Sequence, residues 1–185
     1  FGQIGVDPNA DPDGDGRSNL AEYQQCSDPS TRLNRGVPNE WTQTEIKIRR
    51  TTKDGDANYD GGIFAVSSYG GDIFDAQDSF HYTYRPLGTN EEMVVRVLGM
   101  DTTNGYAKAG LMIRESLATK AREASMVLTA SNGVRFLSRG ALGGGTESVV
   151  VTTNTLPVPY WFKIARYGDW VGGYASSDGV NWTLT

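Results

Sequence analysis

PYWFKIARYGDWVGGYASSDGVNW, residues 159–182, is the stretch of sequence that decides the fold. Within it, Phe162 and Ile164 fall on one face of an extended chain, and Trp161 and Lys163 fall on the other. A period of two with one apolar face is typical of a strand that covers a core on one side. The predicted strands at this end of the chain are Tyr160–Tyr167, Val171–Ser176 and Trp182–Thr185.

From Trp41 onward, short β-type runs recur with turn signals between them. Asn132-Gly133 and Asp178-Gly179 are strong hairpin signals, because both dipeptides suit the left-handed backbone of tight turns. Ten or more short strands without a convincing helix predict an all-β, antiparallel sandwich or barrel. The remaining predicted strands are Glu45–Arg49, Gly62–Val66, Ser79–Arg85, Glu92–Gly99, Ala109–Glu115, Ser125–Thr129, Val134–Arg139 and Ser148–Thr152.

The composition of the 185 residues suits one ordinary domain with an appendage. The net charge of −5 argues against nucleic acid and anionic membrane surfaces as partners. No run of 18 apolar residues is present, so no membrane insertion is expected. Cys26 is the one cysteine, which excludes a disulfide within the chain.

Residues 11–22, DPDGDGRSNLAE, match every constrained position of the twelve-residue calcium loop. Carboxylates stand at loop positions one, three and five, glycine stands at the sharp turn, and a glutamate closes the loop. Residues 1–30 contain six acids and one base, so the whole net charge lies around this loop. The predicted calcium ligands are Asp11, Asp13, Asp15, the Arg17 carbonyl and Glu22, with Asp7, Asn9 and Asp28 as weaker candidates.

The longer stretch 7–29, DPNADPDGDGRSNLAEYQQCSDP, resembles the thrombospondin type 3 calcium repeats of secreted bacterial proteins. We expect a short helix around Ser18–Gln25 after the loop, and Asp28-Pro29 should end it. The resemblance implies that bound calcium rigidifies a junction. We therefore assign residues 1–38 to a calcium-binding repeat with its linker.

Four segments in order resemble a known sandwich family: GGDIFDAQDSFHYTYRPL, YAKAGLMIRESL, LTASNGVRFLSR and the stretch quoted first. Together they are similar to the concanavalin A-like, laminin G-like domain called regulation-of-enolase-1-like. The resemblance covers residues 39–185 and implies a two-sheet antiparallel jelly roll. Members continue with closing strands beyond the point where this chain stops, so the closing strands are expected to be missing. The fold alone leaves function open, because it occurs in lectins, glycosidases and adhesion modules.

Trp170 is the first candidate for ligand contact, because the similar family has a small polar residue at that position. Two interpretations stay open at this point. The indole is either an exposed stacking platform for a sugar or a side chain folded onto a neighbouring strand. Tyr106 and Arg114 are further candidates, since sugar sites combine aromatic rings with planar polar groups.

The sequence offers little for catalysis. His81 is the one histidine, and no G-x-S-x-G elbow accompanies it, so a Ser-His-Asp triad is not expected. Glycosidases need two carboxylates across a cleft. The acids at 72, 75, 78, 91, 92 and 115 lack the E-x-D-x-x-E spacing of jelly-roll glucanases, so catalytic residues are not expected.

The sequence therefore predicts a non-catalytic, calcium-stabilised carbohydrate-binding or adhesion module of a secreted, multi-modular bacterial protein. Its expected partner is a carbohydrate or another cell-surface or matrix ligand. One alternative is a structural subunit that assembles with its own copies into a filament, through strand complementation and calcium. A second alternative is a fragment of a glycosidase-like enzyme.

Overall fold

The computed structural model describes residues 7–10, 18–20, 37–48, 53–153 and 158–185. Within these ranges no helix reaches the length and apolar character that crossing a bilayer requires. The strands, in chain order, are β1 (Thr42–Ile46), β2 (Asp56–Asp60), β3 (Ile63–Ser67), β4 (Asp72–Phe74), β5 (Gln77–Tyr84), β6 (Asn90–Val97), β7 (Lys108–Arg114), β8 (Glu123–Thr129), β9 (Val134–Arg139), β10 (Glu147–Val150), β11 (Tyr160–Tyr167), β12 (Trp170–Ser176) and β13 (Thr183–Leu184).

The chain forms two compact units. One contains the described residues up to 44 with 55–68 and 81–85, and the other contains the described residues of 45–54, 69–80 and 86–185. Each unit is built from three segments of the chain, so the units do not divide at a single residue. The boundary predicted at residue 39 stays a prediction.

The larger unit contains two four-stranded antiparallel sheets, in the orders β10-β9-β8-β7 and β13-β12-β11-β6. Phe162 and Ile164 from β11 pack in one core with Leu111 from β7 and Met126 from β8. The core is apolar because each strand turns every second side chain inward. The predicted all-β fold is confirmed, and the two facing sheets are consistent with a sandwich.

The smaller unit contains the β2–β3 hairpin and the sole histidine. His81 is buried, and its Nε2 lies 3.1 Å from Gln43 Oε1, which also accepts the Ala57 amide at 2.8 Å. Trp41 packs on Phe64 with ring centroids 5.0 Å apart. The histidine therefore contributes to a hydrogen-bonded network between strands.

All eleven predicted strands have a counterpart, although β1 overlaps the predicted Glu45–Arg49 at residues 45 and 46 alone, and β2 and β4 are additional. The β2 sequence, DANYD, is mostly polar and forms a strand because it pairs along its whole length with β3. The β4 strand has three residues and pairs with β5. The three residues of β4 are too few to show a period, whereas Ala57 and Tyr59 of β2 do alternate with polar residues, a signal that sequence reasoning missed.

Candidate functional site

One side of the β13-β12-β11-β6 sheet faces away from the core and carries three tryptophans and two tyrosines. Phe162 and Ile164 point into the core. The residues that alternate with them along β11 therefore point to the opposite side. The strand register extends this side to the neighbouring strands. We call it the outer face; its residues are Trp161, Lys163, Ala165, Tyr167, Trp170, Gly172, Tyr174, Ser176, Trp182, Leu184, Asn90, Glu92, Val94 and Arg96.

At one end of the outer face, Trp170 and Tyr167 form an exposed aromatic pair. They lie directly opposite each other across the β11–β12 hairpin. Their ring centroids are 5.9 Å apart and their planes differ by 21°. Trp170 is 45% exposed and Tyr167 is 52% exposed. The two rings therefore offer solvent a nearly parallel aromatic surface.

Gly172 explains the orientation of the Trp170 indole. A Cβ atom at Gly172 would lie 2.2 Å from Cη2 and 2.4 Å from Cζ2 of that ring. The indole thus leans along its own strand over Gly172, and a larger residue there would displace it. Both interpretations of Trp170 hold in part, because the ring folds onto the sheet and still keeps nearly half its surface exposed.

The centre of the outer face holds a cation between two aromatic rings. Lys163 Nζ lies 4.5 Å from the Tyr174 ring centroid and 5.0 Å from that of Trp182. It also lies 3.8 Å from Glu92 Oε2. The lysine side chain is 18% exposed, so its ammonium is fixed in place but remains accessible.

The far end of the outer face has a second aromatic and cation pair. The Arg96 guanidinium lies 5.6 Å from the Trp161 ring centroid, and the two residues are register partners on β6 and β11. At this distance the guanidinium lies within cation–π range of the indole.

Tyr106 lies away from the outer face, in the loop before β7. Its side chain is 57% exposed, and Lys108 Nζ lies 6.0 Å from both the Tyr106 and the Phe74 ring centroids. Lys108 also forms an ion pair with Asp72. The structure therefore does not bring Tyr106 together with Trp170.

Arg114 belongs to a buried charge cluster that joins β5, β7, β8 and β9. Asp78, which is fully buried, accepts bonds from Arg139 at 2.6 Å and 2.9 Å and from Arg114 Nη1 at 3.2 Å. Arg114 also donates to the carbonyls of Ser116 and Ala118, each at 2.7 Å. These bonds occupy its guanidinium, so Arg114 holds loops together and does not lie on the outer face.

Glu123 completes this cluster, in register between Arg114 on β7 and Arg139 on β9. It is 6% exposed, and neither carboxyl oxygen has a hydrogen-bond partner in the part of the chain that the structure describes. Burial raises the pKa of Glu123 to about 7, and the Asp78 carboxylate adds to the rise. The Ser125 hydroxyl and the two guanidinium groups oppose it. Near neutral pH, Glu123 is therefore partly protonated.

Most of the predicted calcium ligands, namely Asp11, Asp13, Asp15, Arg17, Glu22 and Asp28, lie outside the described residues. Described residues on the two sides of the loop contact each other. Asn19 N donates to the Ala10 carbonyl at 2.8 Å, and Asn19 Nδ2 donates to the Asp7 carbonyl at 2.7 Å. These bonds hold Asn19 against Asp7 and Ala10.

The surroundings of Asn19 show whether the described residues suit a bound cation. Its side chain is 1% exposed, and within the described residues its Oδ1 has no hydrogen-bond partner. Asn19 is loop position nine, where calcium loops often bind the ion through water. An orphaned buried acceptor oxygen at this position fits a nearby cation with its water. Asp7 Oδ1 accepts the Asn9 amide at 2.9 Å, so one weaker candidate already caps a turn.

The predicted helix after the loop is described only at its start. Asn19 and Leu20 have helical backbone, and Leu20 N donates to the Pro8 carbonyl at 2.9 Å. Residues 21–25 lie outside the described ranges. The helix over Ser18–Gln25 therefore stays a prediction.

Sequence reasoning missed Tyr167, Lys163 and Arg96 as members of a site. For Tyr167 a signal existed, because a two-residue turn at Gly168-Asp169 places it opposite Trp170. Arg96 could not be found in this way, because β6 and β11 are far apart in sequence and nothing in either strand specifies their pairing.

Comparison of the chain with models of protein families, with curated proteins and with solved structures found no match in any of the three.

Proposed function

We propose that the chain is a non-catalytic carbohydrate-binding module that uses the outer face, and that calcium stabilises its N-terminal segment. The observation that carries the proposal is the Tyr167–Trp170 pair, half exposed and held in place on a regular sheet. The apolar C–H face of a sugar ring can stack on such a surface. The cations of Lys163 and Arg96 lie beside rings and can donate hydrogen bonds to hydroxyl groups.

The arrangement of charges supports binding without catalysis. Among the strand positions of the outer face, Glu92 is the acidic residue, and it lies 3.8 Å from Lys163. Hydrolysis of a glycosidic bond needs two carboxylates on opposite sides of the bond. Glu123 has a raised pKa, but it is buried in the charge cluster and does not face an open cleft.

The finer description of the fold is part of the same proposal. A concanavalin A-like jelly roll at 39–185, after a thrombospondin type 3-like repeat at 1–38, would place this module in a secreted bacterial protein. The two facing four-stranded sheets support the sandwich part of this assignment. The hydrogen bonds from Asn19 to the Asp7 and Ala10 carbonyls support the repeat.

Glycan-array binding of the purified chain in calcium tests the proposal, with Trp170→Ala and Tyr106→Ala compared side by side. Both residues are exposed aromatics, so each variant should keep the melting temperature of the parent chain. We expect Trp170→Ala to lose binding and Tyr106→Ala to keep it. Binding that depends on Tyr106 and not on Trp170 would place the site elsewhere and refute the outer-face assignment.

Calcium binding has its own test. Isothermal titration should detect at least one ion, and Glu22→Ala should weaken it, because the glutamate closes the loop. Glu147→Ala, at an exposed position on β10, is the control and should leave calcium affinity unchanged. Chelation should increase hydrogen exchange in the N-terminal segment and leave the amides of β8 protected. Absence of heat on titration, with a melting temperature unchanged in Glu22→Ala, would refute the calcium assignment.

A further inference from the structure

We infer that the outer face binds an internal stretch of an extended polysaccharide chain, laid along β11 and β12, and does not bind a single terminal sugar. The inference rests on the proposed function and concerns the same face. Its basis is the distance between the two aromatic ends of that face and the fixed cation between them.

The two ends are too far apart to contact one sugar ring. Trp161 and Tyr167 are six residues apart on β11, which at about 3.3 Å per residue separates them by about 20 Å. Both point to the same side, because their positions differ by an even number of residues. A ligand that contacts Trp161 and the Tyr167–Trp170 pair at the same time must therefore be a chain of several sugars.

Two small residues leave room for the Trp170 indole to lean along the face. Ala165 and Gly172 are register partners on β11 and β12, immediately inside the Tyr167–Trp170 pair. Ala165 is fully buried, and the Trp170 indole lies over Gly172. The indole fills the space above Gly172, so the aromatic surface of the Tyr167–Trp170 pair continues inward from the hairpin toward Lys163.

The middle of the path offers hydrogen-bond donors at a fixed place. Lys163 is held by Tyr174, Trp182 and Glu92, and its side chain is 18% exposed. The ammonium has three N–H donors. Its contacts with the aromatic rings do not occupy these donors in the way that hydrogen bonds to oxygen atoms would. Hydroxyl, amide or carboxylate oxygens of a sugar above the centre of the face can accept them.

The experiment measures the affinity of the full chain, in calcium, for length series from disaccharide to hexasaccharide prepared from cellulose, chitin, mannan and polygalacturonate. For a series that binds, we expect affinity to rise at least roughly tenfold from disaccharide to hexasaccharide, because the longer ligand gains the second aromatic contact. Equal affinity for the disaccharide and the hexasaccharide would overturn the inference while leaving the proposed function intact.

Indole resonances in ¹H–¹⁵N spectra locate the contacts in the parent chain, so the binding measurement itself needs no variant. The chain has four tryptophans, whose signals can be assigned by Trp→Phe variants. The hexasaccharide should shift both the Trp161 and the Trp170 indole signals, and the disaccharide should shift less at one end. A hexasaccharide that shifts one of the two alone refutes the extended path. Absence of binding by every series, in a folded chain, would refute the proposed function together with the inference.

Discussion

Replacement of Glu123 by glutamine should remove a strong pH dependence of stability. In the folded chain the buried carboxyl holds its proton up to a pKa of about 7, compared with 4.5 for the unperturbed group. The folded state therefore binds the proton more tightly than the unfolded state does. Linkage then requires that stability fall as pH rises between these two values.

The magnitude follows from the size of the shift. A pKa raised from 4.5 to about 7 corresponds to about 3 kcal/mol of stability. The folded state has this stabilisation below pH 4.5 and has lost it above pH 7. For a chain of this length, that loss lowers the melting temperature by roughly 6–12 °C. The groups that face Glu123 are Arg114, Arg139, Asp78 and Ser125, and all of them remain in Glu123→Gln.

The assay is urea unfolding of the parent chain and of Glu123→Gln at a series of pH values from 4 to 8, with calcium held constant. The buried amide of glutamine also lacks a partner, so the absolute stability of the variant is not the readout. The readout is the stability difference between the two proteins, which should change by about 3 kcal/mol in favour of the variant as pH rises. Glu147→Gln, at an exposed position on β10, is the matched control and should give a flat difference.

A difference between the parent chain and Glu123→Gln that stays constant from pH 4 to 8 would refute the reasoning. It would mean that Glu123 is equally acidic in the folded and unfolded states. In that case the buried carboxylate must have polar partners, such as ordered water, that compensate for burial.

Three further predictions concern single positions. Asp78→Asn should lower the free energy of unfolding in urea by about 3–5 kcal/mol, because it leaves the buried Arg139 without its carboxylate. The control Asp75→Asn should be nearly neutral, because the Asp75 side chain makes none of these bonds. Gly172→Ala should weaken glycan binding with little change in melting temperature, because the new Cβ displaces the Trp170 indole and no backbone atom; unchanged affinity would contradict the role of Gly172. Gly110→Ala should destabilise the sandwich by on the order of 2–3 kcal/mol, since its Cβ would meet the Met126 carbonyl oxygen of the paired strand.

Much of the sandwich could be predicted because its strands follow local rules. The alternation at Phe162 and Ile164 identifies both β11 and its buried face, and the tight turns fix the neighbours of each hairpin. The exposed state of Trp170 could not be predicted, because it depends on Gly172 and on the partner ring of Tyr167. The face as a whole also depends on the pairing of β6 with β11, which no local signal specifies.

Arg114 shows why the charged residues were harder to assign. In sequence it alternates with Leu111 and Ile113, as an exposed residue on a strand would. Its actual partner, Asp78, lies 36 residues away, and the second partner of that carboxylate, Arg139, lies 61 residues from it. Ion pairs between distant segments follow from the packing of strands, so a sequence pattern shows the charges without showing which of them meet.

The charges on the outer face also bear on the type of ligand that the face accepts. Three tryptophans and two tyrosines on one solvent-facing side of a sheet would form an apolar patch prone to nonspecific association if no polar group lay among them. Here Lys163 and Arg96 lie against ring faces, and Glu92 lies beside the lysine, so polar groups interrupt the apolar surface at each step along β11. A lipid surface or an apolar protein partner would have to desolvate these charges without replacing their hydrogen bonds. A sugar chain presents C–H faces and hydroxyl groups in alternation, so it can cover the rings and bond the cations together.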